Sequence, residues 1–389
     1  MLYIFVYKKS NCMASAFVYG KIVGENNFTN REKDLERLLM NFENGTNTIL
    51  ISPRRWGKSS LVARAVEQAA HKNKRLKFCF IDLYNVRSEE QFYEQFALEV
   101  LKADSSKLED LSNQAFKFIG RLLPKLIVGN MPGNEVSLEL DWKEVKKNPD
   151  DILNLPERLS LDKNYRFIVC IDEFQNIAGF EDQLDFQKKL RSHWQKQTRT
   201  SYCLYGSKRH MMMDVFTSYN MPFYKFGDIL FLEKISGEDW LPFIIKRFKD
   251  TGKEITEDAA LEIIALCERH PYYVQQLSQQ AWLRTKKICN QEIVAEAHEG
   301  LILQMSLLFQ TITDSLSNTQ IYFLKALISG ENQLSSADTL IKYRLGSSAN
   351  VKRIREALIS KEIIEQQNKE YVFLDPIYRF WLKGFYFKI

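Results

Sequence analysis

The chain has 389 residues, more than one hydrophobic core of ordinary size uses, so two or three packed units are expected and a single small domain is excluded. With 45% hydrophobic residues, 26% charged residues and only 16 Gly and 9 Pro, the composition excludes a long disordered or collagen-like tract. The net charge of +5 allows a local nucleic-acid surface but excludes a polycationic coat.

The N-terminal region has none of the features of a signal peptide. Its apolar run, residues 2–7, is followed rather than preceded by lysines, and no stretch of the sequence is apolar over the thickness of a bilayer. The six cysteines lack CxxC spacing and several lie in apolar runs, which indicates buried, reduced thiols. We therefore expect a cytoplasmic protein without membrane contact. Residues 1–25 are interpreted as an N-terminal extension, and 1–12 as preceding a more ordinary start at Met13.

Residues 26–235 alternate between helical and strand patterns. Thr29 and Glu32 have capping-box spacing ahead of apolar residues at helical period, which predicts a helix over 26–42. The strand patterns are nearly continuous apolar runs, which are typical of parallel strands covered on both faces. Because these strands alternate with helices, the sequence predicts an α/β fold with an open sheet. A mostly helical insertion, 88–160, with a helix cap at Ser88, separates the second and third strands. The five strands are predicted at 48–52, 77–83, 165–172, 200–205 and 228–232.

The rest of the chain predicts two further units. Residues 236–314 have an all-helical pattern, which we interpret as a lid. From residue 315 to 389, three helices precede two short strands broken by Asn368 and Lys369, an order that suggests a winged helix. Within the insertion, residues 136–140 alternate like an edge strand.

The stretch with the clearest chemistry follows the first strand and opens a helix. Its letters SPRRWGKSS match the phosphate-loop pattern GxxxxGK[ST], except that Ser52 stands where the first glycine is usual. Such a loop directs backbone N–H groups and a helix N-terminus at phosphate oxygens, with Lys58 as the amine and Ser59 as the hydroxyl for Mg²⁺. The predicted nucleotide contacts are Arg54, Arg55, Trp56, Gly57, Lys58, Ser59 and Ser60.

Two acids, Asp172 and Glu173, directly follow the apolar run Phe167–Ile171 of the third predicted strand. Ligands of open α/β sheets bind at the carboxyl edge, where Asp172 is expected to hold Mg²⁺ and Glu173 to act as base for the attacking water. Beyond the next strand, Ser207 is a candidate γ-phosphate sensor. Arg209 or Lys208 is a candidate for neutralising transition-state charge, in this chain or in a neighbour, although a solvated basic turn is an equal alternative.

These residues resemble a known family, the archaeal-type ATPases of the STAND and AAA+-related P-loop superfamily, which are also common in Bacteroidetes genomes. The loop at 52–60 is similar to the family's GPRRxGKTSL motif, and residues 171–175 are similar to its DEFQ acid motif. The resemblance covers almost the whole chain. It implies a P-loop NTPase parallel-sheet core, a helical lid and a C-terminal winged helix, with ATP and Mg²⁺ as ligands.

Two more family elements concern the nucleotide base. Residues 28–35 look like the FxxRExEL element, which implies that Arg31 lies beside the adenine. Residues 270–273 resemble the GHPYYVQ lid motif, which implies that Pro271 packs against the base; Arg269 stands where that motif has glycine. If the first loop position needs positive φ, Ser52 would be strained.

Residues 315–389 hold 11 basic and 7 acidic residues, so most of the net charge lies there. Lys352, Arg353 and Arg355 fall in the presumed recognition helix, where they could meet DNA. The sequence therefore predicts a Mg²⁺-dependent ATPase that acts as a nucleotide-dependent switch. Two alternatives stay open: a nucleotide-gated DNA-binding regulator, and a signalling or defence module that ATP drives to bind a protein partner or form a homo-oligomer.

Overall fold

The computed structural model describes residues 15–22, 24, 28–105, 108–123, 125–128, 136–367 and 370–389. The described chain divides into two compact units. The first is Arg31–Glu233, and the second joins Lys234–Ile389 with the described residues that precede Arg31. The division into core, lid and winged helix stays a prediction, as does the upstream start, which lies outside the described residues.

The first unit is built on a parallel sheet in the order β2-β5-β6-β1-β7, which confirms the predicted α/β fold. The three interior strands are almost wholly buried, whereas β2 and β7 at the edges are partly exposed. Beside the sheet, β3 and β4 form an antiparallel pair. The strands are β1 (Thr48–Ile51), β2 (Leu76–Asp82), β3 (Lys125–Val128), β4 (Val136–Glu139), β5 (Arg166–Asp172), β6 (Thr200–Gly206) and β7 (Asp228–Phe231).

The helices of this unit precede the first strand or lie between consecutive strands. Ser88 accepts a hydrogen bond from the Gln91 N–H, which confirms the predicted cap at the start of the insertion. The helices are α1 (Glu32–Asn44), α2 (Lys58–Lys72), α3 (Glu89–Asp104), α4 (Leu108–Ile119), α5 (Trp142–Lys147), α6 (Asp150–Leu153), α7 (Leu155–Lys163), α8 (Gln183–Trp194) and α9 (Arg209–Thr217), with 3₁₀ turns at Gly120–Leu122 and Phe174–Gly179.

The predicted start of α1 is wrong. The helix begins at Glu32 with Arg31 at the N-cap, and no side chain of the described chain caps it. Asn30 has a positive φ of 36°, so the chain turns just before the helix. Because Thr29 therefore lies outside the cap position, it forms no capping box with Glu32.

The second unit combines the predicted lid and the winged helix. Phe17 is buried in it and packs on Phe248, with ring centroids 5.6 Å apart, so this part of the predicted extension belongs to a core. Its elements are α10 (Gly237–Asp250), β8 (Glu254–Ile255), α11 (Glu257–Leu266), α12 (Pro271–Arg284), β9 (Ile288–Cys289), α13 (Gln291–Asp314), α14 (Asn318–Ile328), α15 (Ala337–Lys342), α16 (Ser348–Ser360), β10 (Ile364–Gln367), β11 (Glu370–Phe373), α17 (Pro376–Trp381) and a π-helical turn (Leu382–Tyr386).

One correction and one confirmation concern this unit. The stretch 236–314 is not all-helical, because β8 and β9 pair in parallel through two residues each. Pairs so short have no alternating pattern that a sequence could display. The three helices α14–α16 and the antiparallel strands β10 and β11 have the predicted winged-helix order, and the turn at 368–369 lies outside the described residues.

Candidate functional site

The loop of residues 52–57 joins the carboxyl end of β1 to the first turn of α2. Positive φ occurs in it at Arg55 (63°) and Gly57 (90°), whereas Ser52 has a negative φ. The strain expected at Ser52 is therefore absent, because the first loop position has a conformation open to any residue. A Cβ on Gly57 would meet no atom within 4 Å, so its backbone conformation, not lack of space, requires glycine.

The N-terminus of α2 is arranged to receive an anion. Among the described residues, no side chain caps this helix, and its first turn holds no acidic residue. By contrast, Ser88 and Ser236 cap the N-termini of α3 and α10, and acids follow in both first turns. The helix dipole and the N–H groups of the first turn of α2 therefore favour negative charge at the loop.

Asp172 ends β5 and faces this helix. The Ser59 hydroxyl donates to its Oδ2 at 3.0 Å, and the Glu173 N–H donates to its Oδ1 at 2.8 Å. Burial raises the pKa of Asp172, against the opposing effects of the Lys58 charge and these two hydrogen bonds. The carboxylate is thus desolvated and lies beside a hydroxyl, an oxygen-rich pair of the kind that Mg²⁺ prefers.

Glu173 is the centre of the site's hydrogen bonds. Its Oε1 lies 3.8 Å from the Lys58 Nζ, and Lys58 is only 7% exposed. Its Oε2 accepts from the Ser207 hydroxyl at 2.9 Å, from the Ser207 N–H at 3.4 Å and from the Gln175 Nε2. Burial raises the pKa of Glu173, but the hydrogen bond from Gln175, the Lys58 charge and the Ser207 bonds together outweigh it and lower the pKa.

The two neighbouring acids are thus driven in opposite directions. The pKa of Asp172 lies above its ordinary value and that of Glu173 below it. Such a separation is typical of carboxylates with different roles in one site. Glu173 is the more strongly stabilised anion, because its carboxylate accepts hydrogen bonds from Gln175 and Ser207 and lies beside the Lys58 charge.

The structure brings some of the other predicted residues to this site. The Arg54 Nε donates to the Ser207 hydroxyl at 3.3 Å, which joins the phosphate loop to Glu173 through Ser207. The Arg31 Nη2 donates to the carbonyl of Trp56 in the loop at 3.3 Å. Burial lowers the pKa of Arg31, against the charge of Asp34. Arg31 thus supports the loop backbone, and its place beside an adenine stays a prediction.

The remaining predicted residues have less direct positions. Trp56 and Ser60 are buried on either side of Lys58, and Arg55 is exposed. Arg209 is exposed at the start of α9, with its guanidinium 6.0 Å from the centroid of the Phe231 ring. Pro271 is buried at the first turn of α12, in the second unit. The roles assigned to Arg209 and Pro271 stay predictions.

Two residues of the site were not predicted. Gln175 donates to Glu173, and Gly206 leaves the space that the Gln175 side chain occupies. Gln175 stood in the DEFQ run, two residues after Glu173, but a sequence position does not tell where a side chain turns. Gly206 ends a strand pattern and carried only the weak signal of a strand glycine.

Helix α16 of the winged helix presents two exposed basic residues. Lys352 is 72% exposed and lies 3.9 Å from the Glu356 carboxylate, and Arg353 is exposed beside it on α16. Arg355 instead donates to the Tyr371 hydroxyl on β11 at 3.0 Å. Arg355 is thus tied to the wing, which leaves Lys352 and Arg353 as the outward basic pair.

Three further findings concern metal ligands, membrane-spanning helices and cysteines in the described part of the chain. They contain no group of three or more His, Cys, Asp or Glu that could hold a metal ion, and no helix among them has the length and apolarity to cross a membrane. The five described cysteines, Cys79, Cys170, Cys203, Cys267 and Cys289, are buried and unbridged, as expected.

Comparison with protein families gives two matches. The family described as "ATPase domain predominantly from Archaea" matches residues 28–277, more than half of the chain. The family described as "Probable winged helix domain" matches residues 307–384. A search of curated proteins finds no match.

Solved structures share the fold at low sequence identity. A Walker-type ATPase of Pyrococcus abyssi is 18% identical over 92% of this chain and 96% of its own, with a TM-score of 0.63. The ORC2 protein of Aeropyrum pernix, solved as ADPNP–ADP complexes, is 14% identical over 94% of both chains, with a TM-score of 0.55. Its ADP form is 13% identical over 93% of both chains, with a TM-score of 0.51. At these identities the likeness establishes the fold alone.

Proposed function

This chain belongs to the family of ATPase domains found predominantly in archaea, and we propose that it binds ATP with Mg²⁺, hydrolyses the γ-phosphate and acts as a nucleotide-dependent switch. The observation that carries the proposal is the meeting of Lys58 and Ser59 with Asp172 and Glu173 at one sheet edge. Residues more than 110 positions apart in sequence supply a cation, a hydroxyl and two acids there. Phosphoryl transfer needs this set.

Binding begins with the loop and α2. The uncapped N-terminus of α2 would face the phosphates, and the Lys58 ammonium would bind their outer oxygens. Arg54 and Arg55, both exposed on the loop, bring further positive charge to the same side. For the adenine base, we propose contacts with Arg31 and Pro271, because both residues lie in motifs that resemble the family's adenine-binding elements.

The donor set fits Mg²⁺. The ion favours oxygen ligands and keeps several waters, so a P-loop site needs few protein ligands, and the absence of a larger cluster in the described chain is compatible with it. The Ser59 hydroxyl and the Asp172 carboxylate, 3.0 Å apart, would hold the ion directly or through water. Bound there, Mg²⁺ supplies neutralisation of the charge on the phosphate oxygens.

Hydrolysis then requires an oriented water. The Glu173 Oε1 would accept its proton as the water oxygen bonds to the γ-phosphorus and the bond to the ADP oxygen breaks. Lys58, 3.8 Å from that oxygen, would stabilise the phosphoryl charge. Ser207 holds the other carboxylate oxygen, and we propose that it also contacts the γ-phosphate.

Replacing Ser59 tests the Mg²⁺ assignment. In Ser59→Ala the hydroxyl is lost, and we expect the Mg²⁺ concentration for half-maximal phosphate release to rise at least about tenfold. Ser59→Thr keeps the hydroxyl and should stay close to the wild type. The measurement is a Mg²⁺ titration of phosphate release at saturating ATP. An unchanged Mg²⁺ requirement in Ser59→Ala would remove this residue from the metal site.

A second candidate function, nucleotide-gated DNA binding, is favoured by the exposed pair Lys352 and Arg353 on α16. We expect Lys352→Glu with Arg353→Glu to weaken duplex binding at least about tenfold and to reduce its salt dependence, because each phosphate contact releases counterions. The matched control is Lys246→Glu with Lys249→Glu on α10, an equal charge reversal on another exposed helix. Fluorescence anisotropy with a labelled duplex, with and without ATP, measures both. Equal losses in the two double variants would show a charge effect without a site.

A further inference from the structure

We propose that Gln175 is a positioning residue for hydrolysis: its buried amide holds Glu173 by Oε2, so that Oε1 is presented to the reacting water. The inference rests on the proposed ATPase function and adds to it a residue outside the phosphate loop and the acid pair. Gln175 lies in the 3₁₀ turn Phe174–Gly179, directly after Glu173.

The hydrogen bonds separate the two oxygens of Glu173. All three protein donors, the Gln175 Nε2 and the N–H and hydroxyl of Ser207, bind Oε2. Oε1 instead lies on the side of Lys58, 3.8 Å from its Nζ. Glu173 also has a left-handed backbone, with φ of 51°, which costs energy in a residue with a side chain. Backbone and side chain are thus both fixed so that one carboxylate oxygen is tied and the other faces the cation.

Packing does not explain a glutamine at position 175. The side chain is wholly buried, and within the described part of the chain its Oε1 has no hydrogen-bond partner. A buried acceptor without a partner costs stability, which an apolar side chain of similar size would avoid. The contact that only the amide supplies is the donation from Nε2 to Glu173.

Gly206 makes room for this amide. A Cβ at Gly206 would lie 1.9 Å from the Gln175 Oε1 and 2.8 Å from the Met212 Sδ, so the amide would have to move. The backbone of Gly206 does not have positive φ, so space rather than conformation requires the glycine. Gly206 is thus adapted to the position of Gln175, and it directly precedes Ser207, the other donor to Glu173.

Replacing Gln175 by an apolar isostere separates positioning from packing. Gln175→Met removes the donor and the buried acceptor together. We expect kcat for ATP to fall about tenfold or more, because a displaced catalytic group loses its alignment, while KM and ATP affinity stay within twofold and the melting temperature is unchanged or higher. The matched control is Gln187→Met: Gln187 is also wholly buried in this unit, and neither of its side-chain polar atoms bonds to another described residue. It should keep wild-type kcat.

Gly206→Ala displaces the amide without touching its chemistry. We expect it to lower kcat in the wild type but to change kcat less than twofold in a Gln175→Ala background, where the amide is absent and only the Met212 side chain has to shift. Equal losses in both backgrounds would contradict the role given to Gly206.

The deciding experiment measures phosphate release, ATP affinity and thermal unfolding for the wild type, Gln175→Met, Gln187→Met and Glu173→Gln together. Loss of kcat in Gln175→Met alone of the two glutamine variants, with stability kept, supports the proposal. A wild-type or increased kcat in Gln175→Met, or a loss that accompanies lower stability or is shared by Gln187→Met, overturns it. If the wild type itself releases no phosphate from ATP, the proposed ATPase function fails. If the wild type turns over ATP and Glu173→Gln alone loses turnover, only the role of Gln175 fails. If Glu173→Gln also keeps wild-type turnover, the role of Glu173 as the base fails as well.

Discussion

Lys58→Ala is expected to weaken ATP binding by at least about a hundredfold, since charge-assisted hydrogen bonds to phosphate are among the strongest in proteins. Lys58 is nearly buried, and its ammonium lies 3.8 Å from the Glu173 carboxylate. Without it, Asp172 and Glu173 are left as two acids facing a polyphosphate. The substitution therefore removes the attraction between the Lys58 ammonium and the phosphates, and it leaves the repulsion between the two carboxylates and the phosphates.

The control for this prediction lies in the same helix. Lys72→Ala, at the far end of α2, removes an equal charge from an exposed residue that pairs with Glu43 at 2.6 Å. Equilibrium binding of an ATP analogue measures both variants, with circular dichroism to verify folding. We expect wild-type affinity in Lys72→Ala. An affinity within threefold of the wild type in a folded Lys58→Ala protein would place the nucleotide elsewhere.

Glu173→Gln has the second large expected effect: ATP binds with near wild-type affinity, but turnover falls by at least about a hundredfold, the scale of general-base catalysis. A glutamine keeps the shape of the side chain and cannot take a proton. In the wild type, Gln175 and Ser207 both donate hydrogen bonds to the Glu173 carboxylate. In the variant, the same two residues face the amide of the new glutamine.

Phosphate release at saturating ATP tests this prediction, with retained ATP measured on the same sample. Glu181→Gln is the matched control, because Glu181 is exposed just beyond the 3₁₀ turn that follows Glu173. It should hydrolyse ATP at the wild-type rate. Turnover in Glu173→Gln within fivefold of the wild type would exclude Glu173 as the base.

The parts of the fold that could be predicted are those encoded locally. Apolar runs predicted all five strands of the main sheet within one residue at each end, because buried parallel strands need continuous apolar sequence. The loop at 52–60 was visible because phosphate binding requires a glycine, a lysine and a hydroxyl at fixed spacing. Asp172 could be placed at the sheet edge because it ends such a run.

What could not be predicted depends on contacts between distant segments or on single dihedral angles. Ser207 was expected to sense phosphate, and in the structure its hydroxyl donates to Glu173, 34 residues away. No periodic pattern records such a bond. The positive φ of Asn30, which displaces the start of α1, likewise leaves no pattern in the sequence. The two-residue pairing of β8 with β9 leaves none either.

The central claim, that ATP and Mg²⁺ bind where Lys58 and Ser59 meet Asp172 and Glu173, is tested most directly by a crystal structure of the wild-type chain with Mg²⁺ and a non-hydrolysable ATP analogue. We predict a γ-phosphate oxygen within hydrogen-bond distance of the Lys58 Nζ, about 2.7–3.2 Å, with the ion beside Ser59 and Asp172. A nucleotide bound away from Lys58, with the ion pair between Lys58 and Glu173 unchanged, would contradict the claim.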